Sequence, residues 1–294
     1  YHSGKWHING ARNPCRDGGF DRSYNLTDQH RFFSPKTHTK DDKALKPVKP
    51  DSGYYATVAI ADHALECLAE HAEKHKGKPF YHYLAFTSPH FPLHAMQKDI
   101  DRYKGKYDKG WDVVRAERFK RMTDMGIINC KLSPLQPNVK PSWNLSEGNL
   151  AKNIGPGEAG RAVPWSALTD KQKSFQATKM AIHAAMIDRM DREIGRVLKR
   201  LKADGVLDNT VIMFLSDNGG TINTYSNNTP LRGYKYMFGE GGIRVPMIVS
   251  WARELPSNQT NDVMVSAMDI FPTIVELAGG QIPADRDGRS LVPL

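Results

Sequence analysis

Cysteine is scarce in this 294-residue chain: Cys15, Cys67 and Cys130 are all it has. They stand far apart, with no C-x-x-C pair and no metal-ligand spacing, and an odd number excludes a closed disulfide framework. Cysteine usage therefore leaves the compartment open. Long apolar runs are lacking too. None approaches the about 20 residues a membrane-spanning helix needs, and no signal peptide opens the chain. No motif that reads DNA or RNA accompanies the net charge of +9. That charge suits an anionic substrate, but it is spread along the chain, as on any solvated basic surface. Internal repeats are absent. What remains is ordinary for a globular protein, 39% hydrophobic and 25% charged, with length for one large domain or two modest ones.

Residues 1–53 are rich in Gly, Pro, Asn, Asp and Lys and read as loop with short elements. Apolar residues at Val58, Ala61, Leu65, Leu68 and Ala72 recur at helical spacing, predicting a helix over 54–76 with Cys67 as a small core residue. "KPFYHYLAF" (78–86) reads as a buried strand stopped by "TSPHFP". Residues 98–165 form a polar excursion with one short helix near 113–122. Thr169 and Gln172 fit a capping box. The helix it opens carries a stripe of Met180, Ala184, Ile187, Met190, Ile194, Leu198 and Leu201, and Gly205 is a natural stop. "TVIMFL" (210–215) predicts a strand covered on both faces, "VPMIVSW" (245–251) a further strand, and 269–278 a last helix closed by Gly279. Strands alternating with helices predict an α/β fold around a mainly parallel sheet.

Ligands of such sheets gather beyond the carboxyl ends of the strands. "FLSDNGG" ends a greasy run there on Asp217 and Asn218, hard oxygen donors of the kind calcium and magnesium prefer. D-N-G is also a common turn string. "LRGYKYMFGEGGIRVP" (231–246) sets Arg232 and Lys235 in glycine-rich backbone suited to an oxyanion, or to a plain basic loop. "SGKWHING" has Lys5 and His7 at alternate positions, aligned if extended, where an imidazole beside an ammonium suits proton transfer near an anion. Trp111, Trp143 and Trp165 can stack on sugar rings or simply pack, and the loop 221–229 can line a pocket.

These segments, in this order, resemble the sulfatase family of bacterial type. "GKWH" is similar to its lysine–histidine strand end, "PHFPLHA" to its histidine loop, and "DRMDREIGRVLKRLKADGVLDNTVIMFLSDNGG" to its helix–strand–metal block. "LRGYKYMFGEGGIRVP" is similar to its sulfate-binding lysine segment, and "DIFPTIVELAGG" with "DGRSLVPL" to its later part. The resemblance implies an alkaline-phosphatase-like α/β/α sandwich and sulfate ester hydrolysis. It implies Asp217 and Asn218 as ligands of one divalent cation, calcium with magnesium as the alternative. Lys235 would hold sulfate oxygens, and His90 would contact the sulfate and protonate the leaving oxygen. Lys5 would bridge nucleophile and sulfate, and His7 would hold the nucleophile's hydroxyl.

One departure matters. The family's nucleophile is a formylglycine made from Cys or Ser in C-x-P-x-R or S-x-P-x-R, and no such motif occurs in these residues; Cys15 is followed by Arg16-Asp17-Gly18. The resemblance therefore implies that residues 1–294 are one partial catalytic domain. The first strands, with the nucleophile and further metal ligands, and a smaller C-terminal subdomain would lie outside it. It also implies a formylglycine-generating enzyme as partner, a sulfated small molecule or polysaccharide as substrate, and a periplasmic or secreted location. Phosphodiesterases and phosphatases of the same fold are the alternative enzymes, although many carry D-H-G where Asn218 stands here. A fragment that only binds sulfated glycans is the non-enzyme alternative.

Overall fold

The computed structural model describes residues 1–136, 139–140, 145–222 and 226–294. Its main sheet grows out of the segment with least periodicity. β1 (His2–Gly4) pairs in parallel with β2 (Ser23–Asn25) on one side and β5 (Tyr83–Ala85) on the other. β3 (Thr39–Lys40) and β4 (Lys43–Ala44) continue antiparallel, in the order β4-β3-β2-β1-β5. The fold is α/β with a mixed sheet whose parallel part is β2-β1-β5.

All three residues of β1 are buried, and two of them are polar. A buried polar side chain is tolerated when hydrogen bonds replace water. His2 Nδ1 lies 2.9 Å from Ser23 Oγ on β2. Ser3 Oγ lies 2.7 Å from His63 Nδ1 and 3.0 Å from His82 Nε2. His63 belongs to α1 (Ala56–Lys74), which also buries Ala61, Ala64 and Cys67.

α1 packs on α5 (Asp170–Ala203), the longest element. The capping box forms: Gln172 N donates to Thr169 Oγ1 at 3.3 Å and Thr169 N to Gln172 Oε1 at 3.0 Å. The buried side of α5 differs from the predicted stripe. Ala177, Ala181, Ala185, Met186, Glu193 and Leu201 are buried, and of these only Leu201 belongs to the stripe; Ile187 is exposed, and Met180, Met190, Ile194 and Leu198 are half-buried. Periodicity weighted the bulky residues, but Ala185 and Met186 are the ones that join Ala56 and Ile60 of α1 in the core.

Two strands expected to be buried are not. The Lys78–Phe86 run forms only β5, with Tyr81 and Tyr83 exposed. The Thr210–Leu215 run forms β6 (Ile212–Leu215), paired antiparallel with β7 (Met247–Ser250) in a separate two-stranded sheet, and Phe214 is exposed. Apolar content reports what a strand can bury, not which neighbour arrives to cover it. The excursion contributes α2 (Gln97–Ile100), α3 (Trp111–Asp124) and α4 (Glu147–Asn153). Trp111 and Trp165 pack edge to face, centroids 5.0 Å apart. Trp143 lies outside the described residues. α7 (Ile270–Leu277) ends just before Gly279, as predicted.

Asp99 of α2, 1% exposed, is gripped by Arg189 of α5 through Nε–Oδ2 at 2.8 Å and Nη2–Oδ1 at 2.9 Å, with Arg192 on the same oxygen. Burial opposes its charge, yet the two guanidiniums outweigh burial and hold its carboxyl below the usual range. Arg189 also meets buried Glu193, which bonds Arg196 in turn. Removing one member of such a network leaves a buried charge uncompensated, at about 3–5 kcal/mol. Asp99→Ala should lower urea-denaturation stability by that amount, and a loss below about 1 kcal/mol would show the network to be dispensable.

The buried histidines set the acid limit. Burial pushes His2 and His63 down to about 4 and His82 to about 3. A histidine depressed on folding contributes stability that is complete above the unfolded value, about 6.5, and lost as pH falls toward the folded value. Asp99, a depressed carboxyl, is lost only below about 4. Stability should therefore decline between about pH 6.5 and 4, by up to roughly 1.4 kcal/mol per pH unit for each of His2 and His63. A flat denaturation midpoint across that range would refute the assignment.

Candidate functional site

The parallel pairing carries two segments past the same sheet edge. Lys5 follows β1 directly, and its N–H donates to Ala85 O at 2.9 Å, the rung after the last strand residue. His2 Nε2 lies 3.3 Å from Lys5 O, so the buried imidazole also fixes where the chain turns off. After β5, Thr87 and Ser88 are buried, and Ser88 Oγ lies 2.7 Å from Thr57 Oγ1 on α1. His90 N–H then donates to Thr87 O at 3.0 Å. Lys5 and His90 thus leave from the carboxyl ends of neighbouring parallel strands, the expected place for ligands.

The His90 ring has a defined tautomer. Nδ1 lies 2.6 Å from Phe91 O, a pure acceptor, so Nδ1 carries the hydrogen. Nε2 then accepts from Lys235 Nζ at 3.2 Å. Burial lowers the pKa of His90, and the charges of Lys235, Lys5 and His30 lower it further, against the hydrogen bond to Phe91. The imidazole is neutral at pH 7 with its lone pair toward an ammonium.

Lys235 is held by backbone. Its N–H donates to Gly220 O at 3.0 Å, and Asn228 Nδ2 donates to the same oxygen at 3.0 Å and to Gly233 O at 3.2 Å. Gly219 N donates to Gly242 O at 2.9 Å, and a Cβ on Gly219 would lie 2.0 Å from Gly241 O, so only glycine fits there. The turn after β6 and the α6 segment (Glu240–Ile243) therefore meet backbone to backbone. That turn carries Asp217, exposed, and Asn218, half-buried. Asn218 engages its nitrogen at Gly219 O, 2.9 Å away, which leaves Oδ1 as its donor atom for a cation.

Of the six residues to which the resemblance gives roles, the structure joins His90 and Lys235 by a hydrogen bond and sets Lys5 where its charge acts on His90. Asp217 acts electrostatically on Tyr83 of β5, whose pKa is raised first by desolvation on the covered side of its partly exposed ring and second by Asp217. Among the described residues no hydrogen bond or ion pair joins Asp217 or Asn218 to the other three. His7 is exposed, and no hydrogen bond or ring contact ties it to the cluster among those residues. β1 ends at Gly4, so the extended alternation that would align Lys5 with His7 does not continue that far. Sequence reasoning missed His30, whose ring centroid is 5.4 Å from that of His90. It sits in the loop after the carboxyl end of β2, a usable signal had the polar Ser23–Asn25 been recognisable as a strand.

Asp217 and Asn218 offer two hard oxygens on adjacent residues, a fit to part of a calcium- or magnesium-like shell. No group of three His, Cys, Asp or Glu among the described residues could hold a metal by itself. Cys15 is half-buried, and burial with Asp42 and Asp41 pushes its thiol up to about 11, so it keeps its proton at neutral pH and is a poor nucleophile. No helix among the described residues is long and apolar enough to cross a membrane.

A family model described as Sulfatase matches residues 1–280. An uncharacterized sulfatase of Schizosaccharomyces pombe is 29% identical over 99% of this chain and 58% of its own length. An arylsulfatase of Klebsiella aerogenes is 27% identical over 94% of this chain and 64% of its own. Among solved structures, Ps i-CgsB in complex with k-i-k-neocarrahexaose superposes with a TM-score of 0.65 at 24% identity, covering 99% of this chain and 53% of that one. The chain thus spans between 53% and 64% of the length of these proteins.

The electrostatic coupling within the cluster is measurable. Lys235→Met removes one of the cations beside His90, so the His90 titration followed by NMR should move up toward the ordinary histidine value near 6.5. An unchanged titration would mean that Lys235 does not face the ring in solution.

Proposed function

Because this chain belongs to the sulfatase family, we propose that it supplies the sulfate-recognising part of a sulfuric ester hydrolase acting on an aryl or carbohydrate sulfate. The observation that carries the reading is the 3.2 Å contact of Lys235 Nζ with His90 Nε2, beside the charge of Lys5. Two ammoniums and an imidazole with no carboxylate partner among the described residues form a receptor for an oxyanion.

Lys5 and Lys235 take the sulfuryl oxygens and neutralise the charge that grows as the ester bond breaks. The bound anion reverses the balance at His90. Cations that depress its pKa in the empty site become screened, Nε2 gains a proton, and that proton goes to the leaving oxygen. His30 backs the imidazole. His7, exposed here, is the candidate to contact the nucleophile. Asp217 Oδ and Asn218 Oδ1 would hold one divalent cation, calcium in preference to magnesium because a carboxylate and an amide at an exposed turn suit a larger, irregular shell. When bound, that ion supplies further charge neutralisation at the sulfate.

We place the formylglycine nucleophile outside residues 1–294, since Cys15 has neither the motif nor an ionisable thiol at neutral pH. On this reading the residues are a partial catalytic domain, dependent on a formylglycine-generating enzyme for activity and working in a periplasmic or extracellular setting on sulfated small molecules or polysaccharides. In a polypeptide carrying these residues and the modified segment, Lys235→Ala should lower kcat/KM for a sulfate ester about 100-fold or more. His90→Ala should harm esters with poor leaving groups more than activated aryl sulfates, because only the former need the proton. Activity of Lys235→Ala within a few-fold of the unaltered enzyme would refute the assignment.

A further inference from the structure

A cavity of about 490 Å³, lined in part by the segment that leads into Arg232 and Lys235, is not used by the proposed chemistry. One wall is Phe119 of α3 with Leu132 and Pro134 from the strip that follows, and the other is Asn228, Pro230 and Leu231. The second wall runs straight into Arg232 and Lys235. Both walls are anchored to each other: Asn227 Nδ2 donates to Pro134 O at 3.1 Å, and Gln136 N donates to Asn227 Oδ1 at 3.0 Å. Asn228 ties the cavity to the site, since its Nδ2 shares the Gly220 carbonyl with the backbone N–H of Lys235. The size falls within the roughly 300–1,000 Å³ typical of small-molecule sites.

We propose that this cavity receives the organic part of the sulfate ester and selects an apolar ring, an aryl or fused-ring alcohol, over a sugar. The inference rests on the sulfate reading above and names the substrate class for the same site. Its basis is the state of the polar groups in the lining. Asn228 Nδ2 is engaged by the Gly220 and Gly233 carbonyls. Thr229 Oγ1 donates to Pro134 O and meets Asn227 Oδ1. Ser133 Oγ accepts from Arg115 Nη2 at 2.9 Å. Among the described lining side chains, Asn228 Oδ1 and the exposed Lys131 and Cys130 remain, too few to partner the hydroxyls around a sugar ring. A sugar carries hydroxyls around its ring, and each one buried without a partner weakens binding roughly five- to a hundredfold. A flat apolar ring meets no such penalty against Phe119, Leu132, Pro134, Pro230 and Leu231, and gains from leaving water.

The 294-residue protein can be tested without turnover. Three probes are titrated separately by NMR: 4-methylumbelliferone as aryl alcohol, N-acetylglucosamine as sugar, and inorganic sulfate. The aryl alcohol should bind, the sugar should bind at least about tenfold more weakly, and Leu231→Gln should weaken the aryl alcohol at least about tenfold while leaving sulfate unchanged. Leu132→Gln, at a residue 40% exposed and so tolerant of change, should do the same if Leu231→Gln fails to fold. Sugar binding as tight as aryl binding, or aryl binding indifferent to a folded variant, overturns the proposal. Sulfate that fails to bind the unaltered protein overturns the function proposed above, and the umbelliferone titration still decides the cavity.

Discussion

A side chain on Gly4 would put its Cβ 1.9 Å from the Ala85 carbonyl oxygen, and the site depends on that closeness. Gly4 has φ +120, a conformation that L side chains rarely adopt, so glycine is required there twice over. The approach lets Lys5 N–H reach Ala85 O and continue the ladder past the end of β1. From that rung the two chains part, one to Lys5 and the other through buried Thr87 and Ser88 to His90. A larger residue at position 4 would separate β1 from β5 and with them the ammonium from the imidazole. Local backbone geometry thus sets a distance between functional groups that are far apart in sequence.

Charge is divided between structural and functional tasks. Arg189, Arg192 and Arg196 are matched by Asp99, Asp188, Glu193 and Asp62, and Arg22 by Asp41, Glu66 and Glu70. Guanidiniums suit that work because their planar fork meets carboxylates in two places. Lys5 and Lys235 have no ion pair among the described residues. An ammonium left unpaired beside a neutral imidazole raises the local potential and keeps it available for an incoming anion. The surplus of basic residues seen in the composition is thus locally meaningful at two positions, whatever the remainder does at the surface.

Much of this was legible in the sequence, and what was not has a physical reason. α1, α5 and α7 were readable because a helix signals its limits through periodicity, caps and a closing glycine. Thr169 with Gln172 and Gly279 did so here. The order of Lys5, His90, Asp217 and Lys235 was readable through resemblance to a family. The strand ahead of Lys5 was readable only through that resemblance, because hydropathy detects apolar strands, whereas His2 and Ser3 are buried through hydrogen bonds to residues 20 to 80 positions away. The same cause hid His30, whose position follows from a strand of Ser, Tyr and Asn. The buried side of α5 escaped because alanine counts little on a hydropathy scale yet permits close helix packing, and because Glu193 is buried only by virtue of its arginine partners. Tertiary partners make polar residues behave as core, and no single-sequence pattern carries that information.

The two sheets hold different halves of the site. The five-stranded sheet delivers Lys5 and His90, and the β6–β7 pair delivers Asp217, Asn218 and, through the Gly220 carbonyl, Lys235. The Lys235–His90 contact bridges 145 residues and joins these halves with a single hydrogen bond to a neutral ring. Such a bond is worth only about 1.5–3 kcal/mol even with a charged donor. An oxyanion placed between Lys5 and Lys235 would attract both ammoniums at once and add charge-assisted bonds to each half. A ligand that binds only the assembled arrangement stabilises it by mass action. On the proposed reading, binding an oxyanion between Lys5 and Lys235 would also add to the cohesion between the sheets, because its two cationic partners come from separate sheets.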